Sequence, residues 1–169
     1  MTVAASQTRS LRFEFHSVTF IVAVVAAVAT LATSMLSLPA WAMFLGWVGY
    51  SVSGQTRREG FANLISLLLG LALGLGAGLL IAISTPLLGV LAIPAVIFGV
   101  VVLVMSLRGL PLINNPLAYF AGLIIFFASA AAPSVGLFIE LASASALGAV
   151  GAAFAGLIQS WCRPVPKAP

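Results

Sequence analysis

The sequence predicts an all-α integral membrane protein whose six transmembrane helices form a three-plus-three inverted-topology repeat. Three observations predict this fold: the composition, the spacing of the apolar runs, and the similarity between the two halves of the chain. The 169 residues are 62% hydrophobic and 6% charged, with a mean hydropathy of +1.23. Soluble domains contain about 25% charged residues. One span needs ~20 apolar residues, so six spans with short connections account for the whole chain.

The polar segments divide the chain into a membrane domain and two short ends. Residues 1–16 are expected to form a cytoplasmic head, and residues 162–169 a cytoplasmic tail. Residues 17–161 form the six-span membrane domain, with repeat halves at about 17–84 and 85–161. The first apolar run is longer than the ~7–15 residues of a cleaved signal peptide core. We therefore expect it to remain as a signal anchor.

Proline residues mark the breaks between the expected spans, because proline lacks the amide hydrogen and clashes with the preceding helical turn. Pro39, Pro86 and Pro133 each follow an apolar run, and Pro94 is expected to kink the fourth helix. The expected spans are residues 17–36, 39–54, 61–83, 87–106, 116–132 and 135–159. The second and fifth spans are the short ones.

The two short segments are similar to each other and indicate an internal duplication. Four pairs of residues match at a spacing of 76 positions: Phe44 with Phe120, Gly46 with Gly122, Tyr50 with Phe126, and Ser53 with Ser129. Each half holds three spans, an odd number, so the two halves are expected to lie in opposite orientations in the membrane. Inverted repeats of this kind recur in transporters.

Small residues recur every three to four positions in the third and sixth helices. The expected helix-packing residues are Gly70, Gly74, Gly78, Gly148 and Gly151. Small residues at this spacing let helix backbones approach closely inside a membrane. The third helix matches the sixth when Gly74 is placed on Gly148. We expect these faces to join helices within one subunit, or between the subunits of a homo-oligomer.

The Lys and Arg residues predict the orientation. In a six-span arrangement all seven fall on the same side: Arg9, Arg12, Arg57, Arg58, Arg108, Arg163 and Lys167. Because positively charged residues concentrate on the cytoplasmic side, both termini are expected in the cytoplasm. The basic residues are scattered among apolar runs and form no patch, which argues against binding to nucleic acid. The expected partner is the lipid bilayer.

Two groups of residues carry a family resemblance. They are Trp41-Ala42-Met43-Phe44-Leu45-Gly46, Tyr50 and Gly60-Phe61 in the first half, and Pro116, Gly122 and Phe127-Ala128 in the second. On these residues the chain resembles the YcdZ-like family of small bacterial inner-membrane proteins, over about residues 39–156. The resemblance implies a bacterial inner-membrane location and implies no activity. The chain departs from the family pattern at Asn114-Asn115-Pro116, which with Leu117 looks like the short Asn-Pro-Leu turns of urea transporters.

The candidate solute-pathway residues are polar or aromatic side chains on the short helices and near the span ends. They are Tyr50, Ser53, Asn63, Asn114, Asn115, Tyr119, Ser129 and Glu140. Short, interrupted segments at corresponding positions of two halves are the best sequence indication of a central site. Glu140 is the only acidic residue expected inside a span, where ionisable groups are costly and indicate a pathway. Asn63 takes the comparable place in the first half.

Each candidate also has a structural interpretation. Asn114 and Asn115 could cap the fifth helix by accepting hydrogen bonds from its free amide groups. Glu140 could extend to the outer interface of the membrane, because it lies near a helix end. Aromatic residues such as Tyr50 and Tyr119 more often serve packing than binding.

The sequence contains no nucleophile–base pair, phosphate-binding loop, paired carboxylates or group of metal ligands, so it predicts no enzyme, catalytic residue, metal or cofactor. A single cysteine, Cys162, permits no intrachain disulfide. We expect a channel or facilitator for a small, uncharged or weakly polar solute such as urea, an amide or ammonia. The alternative is a non-transporting scaffold or accessory subunit that binds another membrane protein through the glycine-rich helix faces.

Overall fold

The part of the chain that the structure describes is all-helical, as predicted. The computed structural model describes residues 2–52 and 56–162, and gives the backbone alone for residues 2–15, 17 and 162. The α-helices are α1 (Thr2–Met35), α2 (Ala40–Ser51), α3 (Arg57–Leu88), α4 (Ala92–Ser106), α5 (Pro116–Ala128) and α6 (Val135–Cys162). Two short 3-10 helices, Gly89–Leu91 and Leu107–Gly109, precede and follow α4.

Three apolar helical stretches in the described residues are long enough to cross a membrane. They are Val18–Met35, Arg57–Gly109 and Val135–Trp161, and Pro116–Ala128 is a shorter apolar helix. Many large apolar side chains lie on the outside, among them those of Phe20, Leu87, Val90 and Phe98. Soluble monomers rarely expose so much contiguous apolar surface. The long apolar helices and this surface indicate a multi-pass membrane protein.

The stretch Arg57–Gly109 contains a reversal of the chain at Gly89. The backbone of Gly89 has φ 54° and ψ −127°, and its N–H donates to the Thr85 carbonyl oxygen. Glycine adopts this conformation readily because it has no Cβ atom. Beyond the turn, Val100 of α4 lies in the same buried cluster as Ala77 of α3. Helix α4 therefore runs back alongside α3.

This turn lies later in the chain than predicted. The break was expected at Pro86, but α3 continues to Leu88 with the proline inside it. The Ser84 and Thr85 hydroxyls donate to carbonyl oxygens one turn earlier, at 2.7 and 2.6 Å. Their polar groups are therefore satisfied within the helix, and the glycine that follows supplies the turn. Pro94 is the third residue of α4, where the helix leaves amide groups unpaired, so it begins that helix rather than kinking it.

The structure describes most of the predicted N-terminal head and only the first residue of the predicted C-terminal tail. Helix α1 begins at Thr2, so the backbone of residues 2–16 is continuous with the helix that follows. The backbone of Cys162 is the end of α6. The rest of the predicted tail, residues 163–169, lies outside the described residues.

Helices α2, α3, α5 and α6 form the centre of the structure, while α1 packs against α6 and α4 packs against α3. One buried cluster has members from all four central helices: Ala42, Leu67, Leu71, Ala121, Ile125, Phe126, Leu141 and Ala144. Every member is apolar. The middle of the bundle is therefore filled by hydrocarbon side chains.

Helices α2 and α6 touch backbone to backbone. A Cβ atom added at Gly46 would overlap the Ser145 carbonyl oxygen, and one added at Gly148 would overlap the Met43 carbonyl oxygen. Gly151, one turn further along α6, faces the ring of Trp47, one turn further along α2. The two helices therefore run in the same direction, and glycine is required where they meet.

Helices α3 and α5 make the same kind of contact. A Cβ atom added at Gly122 would overlap the Leu67 carbonyl oxygen, and one added at Gly70 would overlap the Tyr119 carbonyl oxygen. The α5 residues lie 76 positions after their α2 counterparts, and the α3 residues lie 78 positions before their α6 counterparts. The two interfaces thus match residue by residue. The counterpart of Gly148 is Gly70, one helical turn away from the glycine that the sequence comparison had chosen.

Candidate functional site

A cavity of about 460 Å3 lies at one end of the bundle. It is bounded by the end of α2, the start of α3, the last turns of α6, and Val22 of α1. Ser51, Arg57 and Ser160 line it and are exposed, so the cavity opens to the surface. Sites for small molecules usually measure about 300–1,000 Å3. The cavity is therefore large enough for one.

The cavity wall combines polar and aromatic groups. Tyr50, Ser51 and Ser160 contribute hydroxyls, Gln159 contributes an amide, and Trp47 contributes an aromatic surface. The Ser160 hydroxyl donates to the Leu157 carbonyl oxygen at 2.6 Å, so it can accept a hydrogen bond from a ligand. No carboxylate is among the described residues that line the cavity. The lining suits a small molecule with both donors and acceptors.

The start of α3 is held in place by a capping box. The Thr56 hydroxyl accepts from the Glu59 N–H at 3.2 Å, and the Glu59 carboxylate accepts from the Thr56 N–H at 3.1 Å. Such reciprocal bonds satisfy two amide groups that a helix start leaves free. The cap places Arg57, the first residue of α3, at the rim of the cavity with its side chain exposed.

Small residues of α6 form the floor of the cavity. Ala152 and Gly156 both line it, and no described atom lies within 4 Å of a Cβ atom added at Gly156. The ring of Tyr50 lies instead over Gly60, where an added Cβ atom would overlap it. Tyr50 therefore borders the cavity without filling it.

A second polar group lies where α3 and α5 begin. The Asn115 side-chain amide donates to the Asn63 carbonyl oxygen at 3.0 Å. The Asn115 side chain also accepts from the Leu117 N–H at 3.2 Å, which makes it the N-cap of α5. Asn63 is only 3% exposed. These two candidates therefore join a helix cap to a buried contact between helices.

Tyr119 lies one turn after Asn115, on the same helix. Its side chain is 1% exposed, and its hydroxyl has no hydrogen-bond partner within the described part of the chain. Ser66 lies beside it; the Ser66 hydroxyl donates to the Ala62 carbonyl oxygen at 3.0 Å and keeps its own lone pairs as acceptors. A buried polar group without a partner costs about 1–3 kcal/mol. The Tyr119 hydroxyl is thus a site of unused hydrogen-bonding capacity.

The remaining candidates lie apart from these two groups. Ser129 lies at the far end of α5, where its hydroxyl donates to the Phe126 carbonyl oxygen at 2.7 Å. Asn114 and Glu140 are exposed, and Ser53 lies outside the described residues. The structure thus places Tyr50 at the cavity and Asn63, Asn115 and Tyr119 at the contact between α3 and α5.

The predicted packing glycines all lie against other parts of the same chain. Gly70 faces the backbone of Tyr119, Gly74 and Gly78 face the ring of Phe126, Gly148 faces the backbone of Met43, and Gly151 faces the ring of Trp47. Their faces are therefore occupied within one subunit.

Sequence reasoning missed several residues of the cavity. Trp47, Gln159 and Ser160 are not among the candidates that the sequence predicts, and Arg57 is predicted as an orientation signal and a contact of lipid headgroups. The spacing of Gly156 and Gln159 could have indicated the cavity, because residues three apart on a helix share a face. A small residue beside a polar one at the end of a span is such a signal.

The fold and the cavity define a multi-pass helical membrane protein with room for a small molecule at one end of its bundle. The chain belongs to the family described as Protein of unknown function (DUF1097), whose family model matches residues 19–159. The match gives the family under that description, and the YcdZ-like name stays a resemblance. No curated protein matches the chain, and no solved structure matches it.

Proposed function

We propose that the protein is a six-span inverted repeat that lets a small, uncharged or weakly polar solute cross the bacterial inner membrane, with both termini in the cytoplasm. The observation that carries this proposal is the cavity, which combines hydroxyls, an amide and aromatic surface at the end of an otherwise apolar bundle. A concave cavity with a few polar groups in a largely apolar surround is the usual form of a small-molecule site.

Support for the inverted repeat comes from the two matching helix pairs. In a chain of six alternating spans, the second and sixth point the same way, and so do the third and fifth. Helix α2 runs with α6, and α3 runs with α5, as that arrangement requires. Each pair also joins one helix from residues 17–84 to one from residues 85–161. The same contacts made twice in this crossed manner are what an inverted repeat produces.

The filled centre favours a facilitator that changes conformation over an open channel. A solute in the cavity meets the buried side chains of Leu67, Leu71 and Leu141 deeper in the bundle. Protein interiors are packed as densely as organic crystals, so no polar molecule passes through this cluster at rest. Transport therefore requires that the helices move and expose the solute to the other side.

The lining favours a neutral solute that both donates and accepts hydrogen bonds. Tyr50, Gln159 and Arg57 offer donors, while Ser160 and the amide oxygen of Gln159 offer acceptors. A small amide such as urea or formamide carries both kinds of group. An ion would need a partner of opposite charge to offset its desolvation. A cation finds no carboxylate among the described lining residues, and the one guanidinium that an anion would find there, that of Arg57, is at the exposed rim.

The alternative of a non-transporting scaffold depended on free glycine faces. Those glycines contact α2 and α5 of the same chain, so they do not offer a surface to another protein. The expected homo-oligomer would have to associate through other surfaces, such as the apolar groove that Phe20, Val24 and Phe154 form between α1 and α6.

Solute flux into proteoliposomes tests the proposal. The full-length protein is reconstituted, and stopped-flow shrinkage is recorded with urea, formamide, glycerol, ammonia and water. At least one solute should cross faster than in protein-free vesicles. Gly156→Leu should abolish the increase, because the new side chain fills the cavity floor. Gly136→Leu is the matched control, since Gly136 is also exposed on α6 and lies away from the cavity.

Two results would contradict the proposal. Rates equal to those of protein-free vesicles for every solute would exclude a facilitator for this class. A wild-type flux in Gly156→Leu would show that the solute does not pass through the cavity. Glu140→Gln should leave the rate unchanged, because Glu140 is exposed and is not among the residues that line the cavity.

A further inference from the structure

Tyr50 and Phe126 occupy matching positions in α2 and α5 but have different surroundings. Tyr50 borders the cavity beside Ala152 and Gly156, which we call the open groove. Its ring is partly exposed and lies over Gly60. The open groove is therefore lined by small residues and left unfilled by the aromatic residue next to it.

The filled groove is the counterpart of the open groove and lies 78 positions earlier, at Gly74 and Gly78 of α3. A Cβ atom added at Gly74 would lie 2.8 Å from Phe126 Cβ, and one added at Gly78 would lie 2.7 Å from Phe126 Cζ. The Cβ atom added at Gly78 would also lie 2.9 Å from Pro133 Cγ. Phe126 is 4% exposed. Its ring occupies the groove that Tyr50 leaves empty on the other half.

We propose that Tyr50 and Phe126 are opposite gates of one solute path. In a second conformation Phe126 leaves the filled groove and opens a cavity at that end of the bundle. Tyr50 then leaves Gly60 and covers the open groove. This inference rests on the proposed function, and it names the residues that would close each end of the path in turn.

The two conformations bury similar amounts of aromatic surface. Phe126 loses its groove while Tyr50 gains one, and both grooves are lined by glycine or alanine. Two conformations that bury similar apolar area lie close in free energy, so a bound solute can shift the population between them. An inverted repeat provides this balance, because each conformation is the other with the roles of the halves exchanged.

The polar contacts between helices permit such a movement. The Asn115–Asn63 hydrogen bond lies within the α3–α5 pair, and the bond from the Ser145 hydroxyl to the Ala42 carbonyl oxygen, at 3.5 Å, lies within the α2–α6 pair. The apolar cluster at the centre joins one pair to the other. Apolar contacts are not directional. Each pair can therefore move as a unit without breaking these bonds, while Phe126 and Tyr50 leave or cover the grooves by rotating their side chains within the pairs.

Thiol labelling at one groove, after a change at the other, tests the coupling. In a Cys162→Ser background, Gly156→Cys reports on the open groove through its reaction with a membrane-impermeant maleimide. Gly78→Leu fills the other groove and displaces Phe126. If the gates are coupled, Tyr50 then covers the open groove, and the labelling rate at Gly156→Cys falls several-fold.

Gly76→Leu is the matched control on the same helix. No described atom lies within 4 Å of a Cβ atom added at Gly76, so this change should leave the labelling rate as it was. An unchanged rate in Gly78→Leu would overturn the inference. If Phe126 served packing alone, its displacement would not change the labelling rate of the Gly156→Cys thiol on α6, which lies next to Tyr50.

A second measurement applies if Gly78→Leu does not fold. Gly78→Ala adds a single methyl group against Phe126 Cζ and keeps the gate residue itself. It should lower the labelling rate at Gly156→Cys in the same direction as Gly78→Leu, but by less. An unchanged labelling rate in a folded Gly78→Ala protein would overturn the inference while leaving the proposed function intact. If the labelling rate at Gly156→Cys falls as expected but the protein carries no solute flux, the proposed function is overturned and the coupling between Tyr50 and Phe126 stands.

Discussion

The Asn115 side-chain amide donates to the Asn63 carbonyl oxygen at 3.0 Å and ties the start of α5 to the first turns of α3. Asn115 also caps its own helix through the Leu117 N–H. One side chain thus both begins a helix and fixes it against its neighbour. Because α3 and α5 run in the same direction, the bond holds two helix starts at the same end of the bundle.

Asn115→Ala should destabilise the protein more than Asn63→Ala. The first change removes a cap, at about 0.5–2 kcal/mol, and also leaves Asn63 buried without this partner. The second removes the contact between helices and leaves the cap. Thermal unfolding in detergent measures both. Asn115→Ser, which keeps a cap acceptor, should fall between them, and equal midpoints for all three variants would contradict the double role.

Gly70→Ala should destabilise the contact between α3 and α5. The added methyl group would overlap the Tyr119 carbonyl oxygen, and overpacking of this kind costs about 1–3 kcal/mol. Gly76→Ala, on the same helix, has open space for the methyl group and should be neutral or stabilising, because alanine favours helix by about 1 kcal/mol. Unfolding of the two variants in parallel would test the close approach, and only Gly70→Ala should lower the unfolding midpoint.

Gly89→Ala should weaken the turn between α3 and α4, because a residue with a Cβ atom is strained at φ 54°. Strain at such a position costs about 1–3 kcal/mol. Pro86→Ala restores an amide hydrogen within α3 and should not destabilise the protein. The two unfolding midpoints decide which residue makes the turn. A larger loss for Pro86→Ala would favour the break that the sequence predicted.

Tyr119→Phe should raise stability or leave it unchanged. The hydroxyl is buried without a hydrogen-bond partner among the described residues, and its removal relieves a cost of about 1–3 kcal/mol while keeping the ring. Ser66→Ala, the neighbouring change, should have a small effect, because the hydrogen bond that the Ser66 hydroxyl donates stays within its own helix. A lower unfolding midpoint for Tyr119→Phe would show that the hydroxyl is engaged.

Arg58→Cys and Arg108→Cys should be labelled from the cytoplasmic face of the membrane in a Cys162→Ser background. Helix α4 runs back along α3, and the segment that follows α4 reaches Asn115, which is bonded to Asn63 in the first turns of α3. Ala131→Cys, in the exposed connection between α5 and α6, should react only from the opposite face. Labelling of Arg58→Cys and Arg108→Cys from different faces would contradict the six-span arrangement.

The alignment of α2 with α5 could be predicted from the sequence because both helices contain glycine and aromatic residues at matching positions. Gly46 and Gly122 are flanked by aromatic residues at matching positions, so the alignment has one register. In α3 and α6 small residues recur every turn, and the alignment can slip by four positions without an evident mismatch. Sequence comparison therefore chose Gly74 as the counterpart of Gly148, whereas the backbone contacts select Gly70.

The cavity was harder to predict because its residues come from separate helices. Trp47, Arg57 and Gln159 are far apart in the chain, and each has an ordinary role when considered alone. Only the packing of α2 beside α6 brings them together. The turn at Gly89 was missed for a related reason, since proline dominates a local interpretation although the helix tolerates Pro86 near its end.

The close backbone contacts of Gly46 with α6 and of Gly122 with α3 have a consequence for how the protein is made. Each contact joins a residue before position 85 to a residue after it, so neither half of the chain can form these helix–helix contacts without the other. A fragment ending before Gly89 should be degraded when produced alone and should persist when the missing fragment is supplied as a separate polypeptide. The contacts between α2 and α6 can therefore form only after α6, the last helix, has been translated.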